Sequence, residues 1–358
     1  MSLAGARILA PSGPRRESQT ATPSRAYSPA AGHPRYSLVI PVYNEEAVLP
    51  VLLLELERLL SVLEGSAEVI FVDDGSGDRS PQILAACVQG NASFRLLRLS
   101  RNFGHQAAIT AGMDRARGAA VIIMDADLQD PPCVVPELIA KWKEGYDIVY
   151  ARRAVRERES FFKRTSAWLF YRFMRLVTEV EIPPDVGDFR LVDRCAVEAF
   201  QRMGERDRFV RGMFAWMGYR QTAITFTRPE RAAGDTKYGL NSMARLAADG
   251  LLGFSDAPLR MVLVLGIVVS FLAMLAGVYA LTLRLLRDDL VRGWASTMMV
   301  VTFLSGVNML MTGIVGLYVG RIHREVKGRP LYLVRDAAGF ERDFERASAV
   351  GLASGAVT

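Results

Sequence analysis

Cysteine is scarce: three in 358 residues, Cys87, Cys133 and Cys195, scattered and without CxxC spacing. An odd, dispersed set is most simply read as reduced, buried thiols of a cytoplasmic domain rather than a disulfide framework. No signal peptide is expected either, because the apolar run ARILA near the start is far too short for an h-region. There is no internal repeat. The net charge of +6 alone is compatible with nucleic acid, but neither zinc-finger spacing nor an RNP-like aromatic motif accompanies it, so no nucleic-acid partner is expected. That charge suits an anionic membrane surface or a phosphate-bearing substrate.

Charge itself is absent from two long stretches. Residues 261–283, MVLVLGIVVSFLAMLAGVYALTL, and 294–320, WASTMMVVTFLSGVNMLMTGIVGLYVG, carry none, and they lift the mean hydropathy to +0.15. At about 1.5 Å per residue either helix crosses a hydrocarbon core of roughly 30 Å. The connection from Arg284 to Gly293 is too short for a domain, so the spans form a hairpin with both flanks on one side. Arg245, Arg260, Arg321, Arg324, Lys327, Arg329 and Arg335 flank it, against Arg284, Arg287 and Arg292 in the loop. The positive-inside rule places the bulk of the chain in the cytoplasm, at the inner face of a plasma membrane. Asn308, polar within the second span, offers an amide to another helix in a homo-oligomer. The expected organisation is a disordered tail rich in Pro, Ser, Ala and Arg (1–34), a catalytic domain (35–230), a basic juxtamembrane segment (231–260), a transmembrane hairpin (261–320) and a cytoplasmic C-terminal tail (321–358).

Between tail and spans, apolar β-like runs alternate with helical patterns. Strands are expected at 36–41, 68–73, 94–99, 120–125 and 147–151, and helices at 45–63, 80–88, 104–117 and 134–144. Continuously apolar strands separated by helices imply a parallel sheet covered on both faces, with ligands beyond the carboxyl ends of its strands. Three of those ends are rich in carboxylates: PVYNEE (41–46), VDDGSGDRS (72–80) and DADLQDPP (125–132). GSGDRS is a poor dinucleotide loop, because Asp73 and Asp74 would repel a pyrophosphate there. Carboxylates beside a glycine turn suit nucleobase NH groups and ribose hydroxyls.

Asp125 and Asp127 are two apart, so in an extended segment both face one way. Two such carboxylates about 5 Å apart repel by roughly 3 kcal/mol at an effective dielectric near 20. Mg²⁺ or Mn²⁺ removes that repulsion while taking further ligands from water and substrate phosphates. The Gln129 carbonyl is within reach of such a metal, and Asp130 before two prolines reads as a helix start.

Together the three motifs resemble family 2 glycosyltransferases and their GT-A fold, an α/β, Rossmann-like, mostly parallel architecture. The segments 100–118, 187–194 (GDFRLVDR), 231–260 and GRPLYLV narrow this to the polyprenyl-phosphate glycosyltransferases. The bactoprenol glucosyltransferase branch fits best, and dolichol-phosphate mannose synthases are more distant relatives. The resemblance implies that Pro41, Tyr43, Glu45, Asp74 and Asp73 line the nucleotide pocket. Asp125 and Asp127, with Gln129, would hold Mg²⁺ or Mn²⁺ on the donor diphosphate. It also implies that Arg153 and Arg164 grip a polyprenyl phosphate, and that Arg231 and Lys237 act at the donor diphosphate or transferred phosphate. Asp188 occupies the position often proposed as catalytic base. A lipid phosphate is mostly dianionic at pH 7, however, so Asp188 is expected mainly to orient sugar or acceptor. The helical pattern 159–177, with basic residues interleaved among apolar ones, suits a helix lying in the headgroup layer.

The expected reaction is inverting, single-step transfer of a sugar, glucose from UDP-glucose by branch resemblance, to undecaprenyl phosphate for cell-envelope or lipopolysaccharide modification. UDP-N-acetylhexosamine, UDP-aminoarabinose-type and GDP-mannose donors stay open. A processive synthase lacks support, with no QxxRW segment and only two spans, and a silent membrane scaffold sits poorly with intact motifs.

Overall fold

A computed structural model describes residues 33–153, 186–206, 208–227, 257–286 and 293–340. The expected tail apart from His33 and Pro34, the amphipathic stretch 159–177, and the basic segment 231–260 up to residue 256 lie outside the described residues. Eight strands form one sheet among the described residues: β1 (Tyr36–Val42), β2 (Ala67–Asp73), β3 (Phe94–Leu99), β4 (Ala120–Ile123), β5 (Ile148–Arg153), β6 (Val186–Asp193), β7 (Gln221–Phe226) and β8 (Val334–Ala338). Their order is β7-β5-β6-β4-β1-β2-β3-β8. Neighbours run parallel except where β6 lies between β4 and β5 and where β8 joins β3. This is the expected GT-A-like α/β fold with a mostly parallel sheet.

Strand residues alternate faces, so every apolar strand feeds two cores. Leu38, Ile40 and Phe71 pack with Leu49, Leu52 and Leu56 of α1 (Leu49–Val62), Leu84 of α2 (Ser80–Gly90) and Leu138 of α4 (Val135–Lys143). Val39, Ile70 and Val72 pack on the opposite face. There they meet Ile109 and Met113 of α3 (His105–Arg115), Phe200 of α5 (Arg194–Arg202) and Phe214 of α6 (Val210–Trp216). Both faces are covered, which is why β1 is buried at all seven positions. Pairing of β4 with β1 stops at Val39, so Pro41 sits past that neighbour's end, where a missing N–H costs the ladder little.

Four expectations need correction. The cysteines are not buried: Cys87 is half-buried, and Cys133 and Cys195 are exposed. The fourth strand ends at Ile123 rather than Asp125, and the acidic residues that follow form a turn. Strands β6, β7 and β8 were not anticipated. The segment from 321 is not a plain tail, because β8 pairs antiparallel with β3.

Two long helices precede β8: α7 (Ala257–Leu286) and α8 (Trp294–Val326). They contact each other, for a Cβ built on Gly266 of α7 would stand 2.7 Å from Met311 Cε of α8. Among the described residues, one stretch, Phe303–Val326, is long and apolar enough to cross a membrane, with mean hydropathy 1.5. The end of α8 is tied to the sheet domain. The Arg206 N–H donates to the Glu325 carboxylate at 2.9 and 3.1 Å, and Arg206 Nη1 donates to the Arg329 carbonyl. Tyr332 donates its hydroxyl to Asp114 Oδ2 at 2.8 Å, and Ser100 N–H donates to Leu333 O at 2.8 Å.

Close approach of α3 to the sheet depends on Gly112, where a Cβ would lie 2.2 Å from Val39 Cγ1 and 3.1 Å from Val72 Cγ2. Gly112→Ala should therefore destabilise the domain by about 1–3 kcal/mol through overpacking, read as a lower melting temperature of the detergent-solubilised protein.

Candidate active site

The carboxyl ends of β1, β2 and β4 share one edge, and the antiparallel β6 begins there. Ile123 pairs with Arg190, so continuing that register two residues past β4 sets Asp188 beside Asp125. Chain reversal thus brings GDFRL to the acidic turn.

The first two loops are stitched to each other. Asn44, at φ 55°, receives the Gly77 N–H on its Oδ1 at 2.8 Å and donates its own N–H to Ser76 Oγ at 3.0 Å. Glu45 N–H donates to Ser80 Oγ at 2.9 Å, Glu46 N–H donates to Asp78 Oδ2 at 3.1 Å, and Arg79 N–H donates to Glu46 Oε2 at 2.9 Å. Gly75, at φ 72°, is pressed against Arg101, whose carbonyl carbon would be 2.5 Å from any Cβ there. Tyr43 projects from the end of β1, 45% exposed.

Asp73 and Asp74 are both buried, and the protein already engages them. Asp73 Oδ1 accepts from Ser76 N–H at 3.1 Å, and Oδ2 lies 3.5 Å from Arg98 Nε. Asp74 accepts from Phe103 N–H at 2.7 Å and Gly104 N–H at 2.9 Å. Burial pushes the Asp74 carboxyl up, against those two hydrogen bonds, and the Asp73 charge adds to the rise. Gly104, at φ 100°, turns the chain into α3 and presents this N–H, a backbone conformation that favours glycine.

In the acidic turn, Leu128 is held at φ 59°, a left-handed conformation costly for a branched side chain. Gln129 N–H donates to Asp127 Oδ1 at 3.1 Å, and Asp125 N–H donates to Asp130 Oδ2 at 3.2 Å. Asp130 therefore closes this turn, and the following helical turn Pro132–Val134 has no side-chain cap. Asp125 Oδ1 is buried and makes no hydrogen bond. Burial raises the Asp125 carboxyl, His105 opposes the rise, and the Asp188 and Asp127 charges add to it.

Asp188, 4% exposed, lies at the centre of a cationic cluster. Arg211 Nε donates to Oδ1 at 2.8 Å and Arg211 Nη2 to Oδ2 at 2.9 Å. Buried Arg190 stands 3.7 Å from Oδ1, its guanidinium over the Phe214 ring. Burial would favour the neutral acid, yet hydrogen bonds from His105 and Arg211 hold Asp188 well below the usual carboxylate range. His105 Nε2 lies 3.3 Å from Asp188 Oδ2 and 3.5 Å from Asp125 Oδ1. Burial lowers its pKa, but the bond to Asp188 and the Asp125 charge raise it to about 9.

The donor set fits a hard divalent cation, because a buried Asp125 oxygen without a hydrogen bond stands in the same turn as the Asp127 carboxylate. Among the described residues no three His, Cys, Asp or Glu side chains are grouped to hold a metal alone. Two carboxylates sharing an ion with phosphate and water match that arrangement.

Pro41, Tyr43, Glu45, Asp73, Asp74, Asp125, Asp127, Gln129 and Asp188 thus converge on one sheet edge. Arg153 is the last residue of β5, paired with Phe226. Arg164, Arg231 and Lys237 lie outside the described residues. Sequence reasoning missed Arg211, whose only signal was a lone basic residue among the buried Val210, Gly212, Met213 and Phe214.

Arg211→Met leaves Asp188 with two fewer donors. It should cost about 3 kcal/mol, the low end for a broken buried pair because Arg211 is a third exposed, read by thermal melting. The stabilisation from His105 is complete below its unfolded value of 6.5 and is lost as pH rises through about 9. The melting-temperature gap between wild type and His105→Ala should narrow across that window.

The model of glycosyl transferase family 2 matches residues 37–200. "Uncharacterized glycosyltransferase YkcC" of Bacillus subtilis is 44% identical over 309 residues, 86% of this chain and 96% of that one. "Prophage bactoprenol glucosyl transferase homolog" of Escherichia coli is 36% identical over 301 residues, 84% of this chain and 98% of that one. Glucosyl-3-phosphoglycerate synthase from Mycobacterium tuberculosis, solved with Mn²⁺, UDP-glucose and phosphoglyceric acid, superposes with a TM-score of 0.41 at 18% identity, over 62% of this chain and 79% of that one. Identity at these levels along nearly the full length of the two relatives decides the family: the chain belongs to glycosyl transferase family 2 and is a glycosyltransferase.

Proposed function

We propose that this glycosyltransferase moves glucose from UDP-glucose onto a polyprenyl phosphate, undecaprenyl phosphate in a bacterial envelope, at the cytoplasmic face of the plasma membrane. The observation that carries this reading is the reach of the 36% identity. A match of 301 residues in a chain of 358 must take in α7, beyond the sheet domain. Resemblance to a protein named bactoprenol glucosyl transferase homolog therefore includes an apolar helix as well as the site. The uncharged runs 261–283 and 294–320 support two crossings by α7 and α8, with the sheet domain and both flanks on the cytoplasmic side.

In this reading Pro41, Tyr43, Glu45, Asp73 and Asp74 cradle the nucleotide, the two aspartates using lone pairs left over from their protein partners. Asp125 and Asp127, aided by Gln129, hold Mg²⁺ or Mn²⁺, which supplies positive charge for the departing diphosphate. Asp188 acts as an orienting carboxylate. A group held ionised by Arg211 and His105 has little affinity for a proton, and a dianionic acceptor needs none removed. Arg153, Arg164, Arg231 and Lys237 are assigned to the acceptor and donor phosphates, where fixed cations hold two anions in line. Displacement opposite the leaving diphosphate inverts the anomeric centre.

The test is a panel of radiolabelled sugar nucleotides given to purified protein in detergent with undecaprenyl phosphate and Mg²⁺ or Mn²⁺, followed by organic extraction. Label from UDP-glucose should enter the organic phase and be abolished by EDTA. Label from another donor alone would replace glucose, and none from any donor would overturn the reading. Asp127→Asn should lower transfer by about 10²-fold or more, as expected for lost electrostatic stabilisation of the leaving group.

A further inference from the structure

The start of α3 reaches several elements of the site at once. The N–H groups of Phe103 and Gly104 hold Asp74. Gln106 Oε1 accepts the Val210 N–H at 3.0 Å, fixing the start of α6, the helix that carries Arg211. Between them, His105 turns one ring nitrogen towards two carboxylates from different elements: Asp188 on β6 at 3.3 Å and Asp125 in the turn after β4 at 3.5 Å. The β4–β6 register brings these two residues side by side, but its last pair is Ile123 with Arg190, so the ladder stops short of fixing the spacing of their carboxylates. The imidazole is the side chain that spans them.

We propose that His105 is a positioning residue that fixes the spacing between the metal-side carboxylate Asp125 and the orienting carboxylate Asp188. This rests on the reading of the site given above. His105 does not touch the reacting atoms in this assignment. It acts through its two partners, and a slack of about 1 Å between donor and acceptor groups is enough to slow an in-line transfer by roughly 10²-fold.

Three consequences separate positioning from mere folding. First, His105→Ala should lower kcat by about 10- to 100-fold while the KM for the sugar nucleotide moves less than threefold. Second, His105→Gln should recover most of the loss, because its amide nitrogen carries two hydrogens and can serve both carboxylates. Third, His105→Ala combined with Asp188→Asn should be no slower than Asp188→Asn alone, since the bridge has no function once its partner is altered. Mn²⁺ binding, followed by electron paramagnetic resonance without donor or acceptor, gives a readout independent of turnover, and its hyperfine pattern or affinity should change in His105→Ala.

Melting temperatures of all variants identify any that fail to fold, and Gln106→Ala, which loosens the same turn, controls for general destabilisation. An unchanged kcat in folded His105→Ala, losses that multiply in the double variant, or a Gln106→Ala loss that matches His105→Ala in kcat, KM and Mn²⁺ signal would each overturn the proposal. Absence of transfer by the wild type would instead count against the function proposed above, so the two failures are distinguishable.

Discussion

Carboxylates gathered at one sheet edge repel, and the site is organised by how that repulsion is answered. Asp73, Asp74, Asp125, Asp127 and Asp188 all stand where β1, β2, β4 and β6 meet the loops. Hydrogen-bond donors and cations reach them from elements remote in sequence: Arg98 from β3, main-chain N–H groups from the start of α3, His105, and Arg211 from α6. Between buried groups such interactions carry more weight than in water. The layout of helices around the strand ends is thus an electrostatic arrangement as much as a packing one.

The answer differs from one carboxylate to the next, and that difference divides the work. Asp74 spends an oxygen on each of two backbone N–H groups, which makes it a rigid wall. Asp188 is clamped by a planar guanidinium, a geometry that fixes direction as well as charge. Asp125 keeps an oxygen without a hydrogen bond inside a turn strained at Leu128. Rigid walls, an aimed carboxylate and an open oxygen are three different chemical tools made from one residue type.

Much of this was legible in the sequence because apolar periodicity is a strong signal. Strands β1 to β5 and helices α1 to α4 follow directly from runs such as SLVIP and EVIFVD. The sequence concealed β6, whose buried Asp188 is answered by Arg211 and whose buried Arg190 donates to the Gly187 and Asp188 carbonyls, yet both read as polar interruptions along the chain. It concealed β8 because VRDAA is largely exposed, and only pairing with β3 makes it a strand. The convergence of the three acidic motifs was readable, since parallel strands put their ends together. Their partners were not, because Arg211 and His105 reach the site through tertiary contacts that no local spacing encodes. The extended geometry assumed for Asp125 and Asp127 also failed, as a strand that must turn at its end cannot keep its side chains alternating.

The order of elements along the chain has a further consequence. The sheet is completed by β8, which follows both apolar helices, so the edge of β3 stays uncovered until almost the whole polypeptide has been made. Cutting the chain before α7 to obtain a soluble enzyme would therefore also discard a strand. It would leave the β3 edge open to pair with other molecules. Sheet domain and apolar helices are in that sense one assembly, not a catalytic head on a detachable anchor.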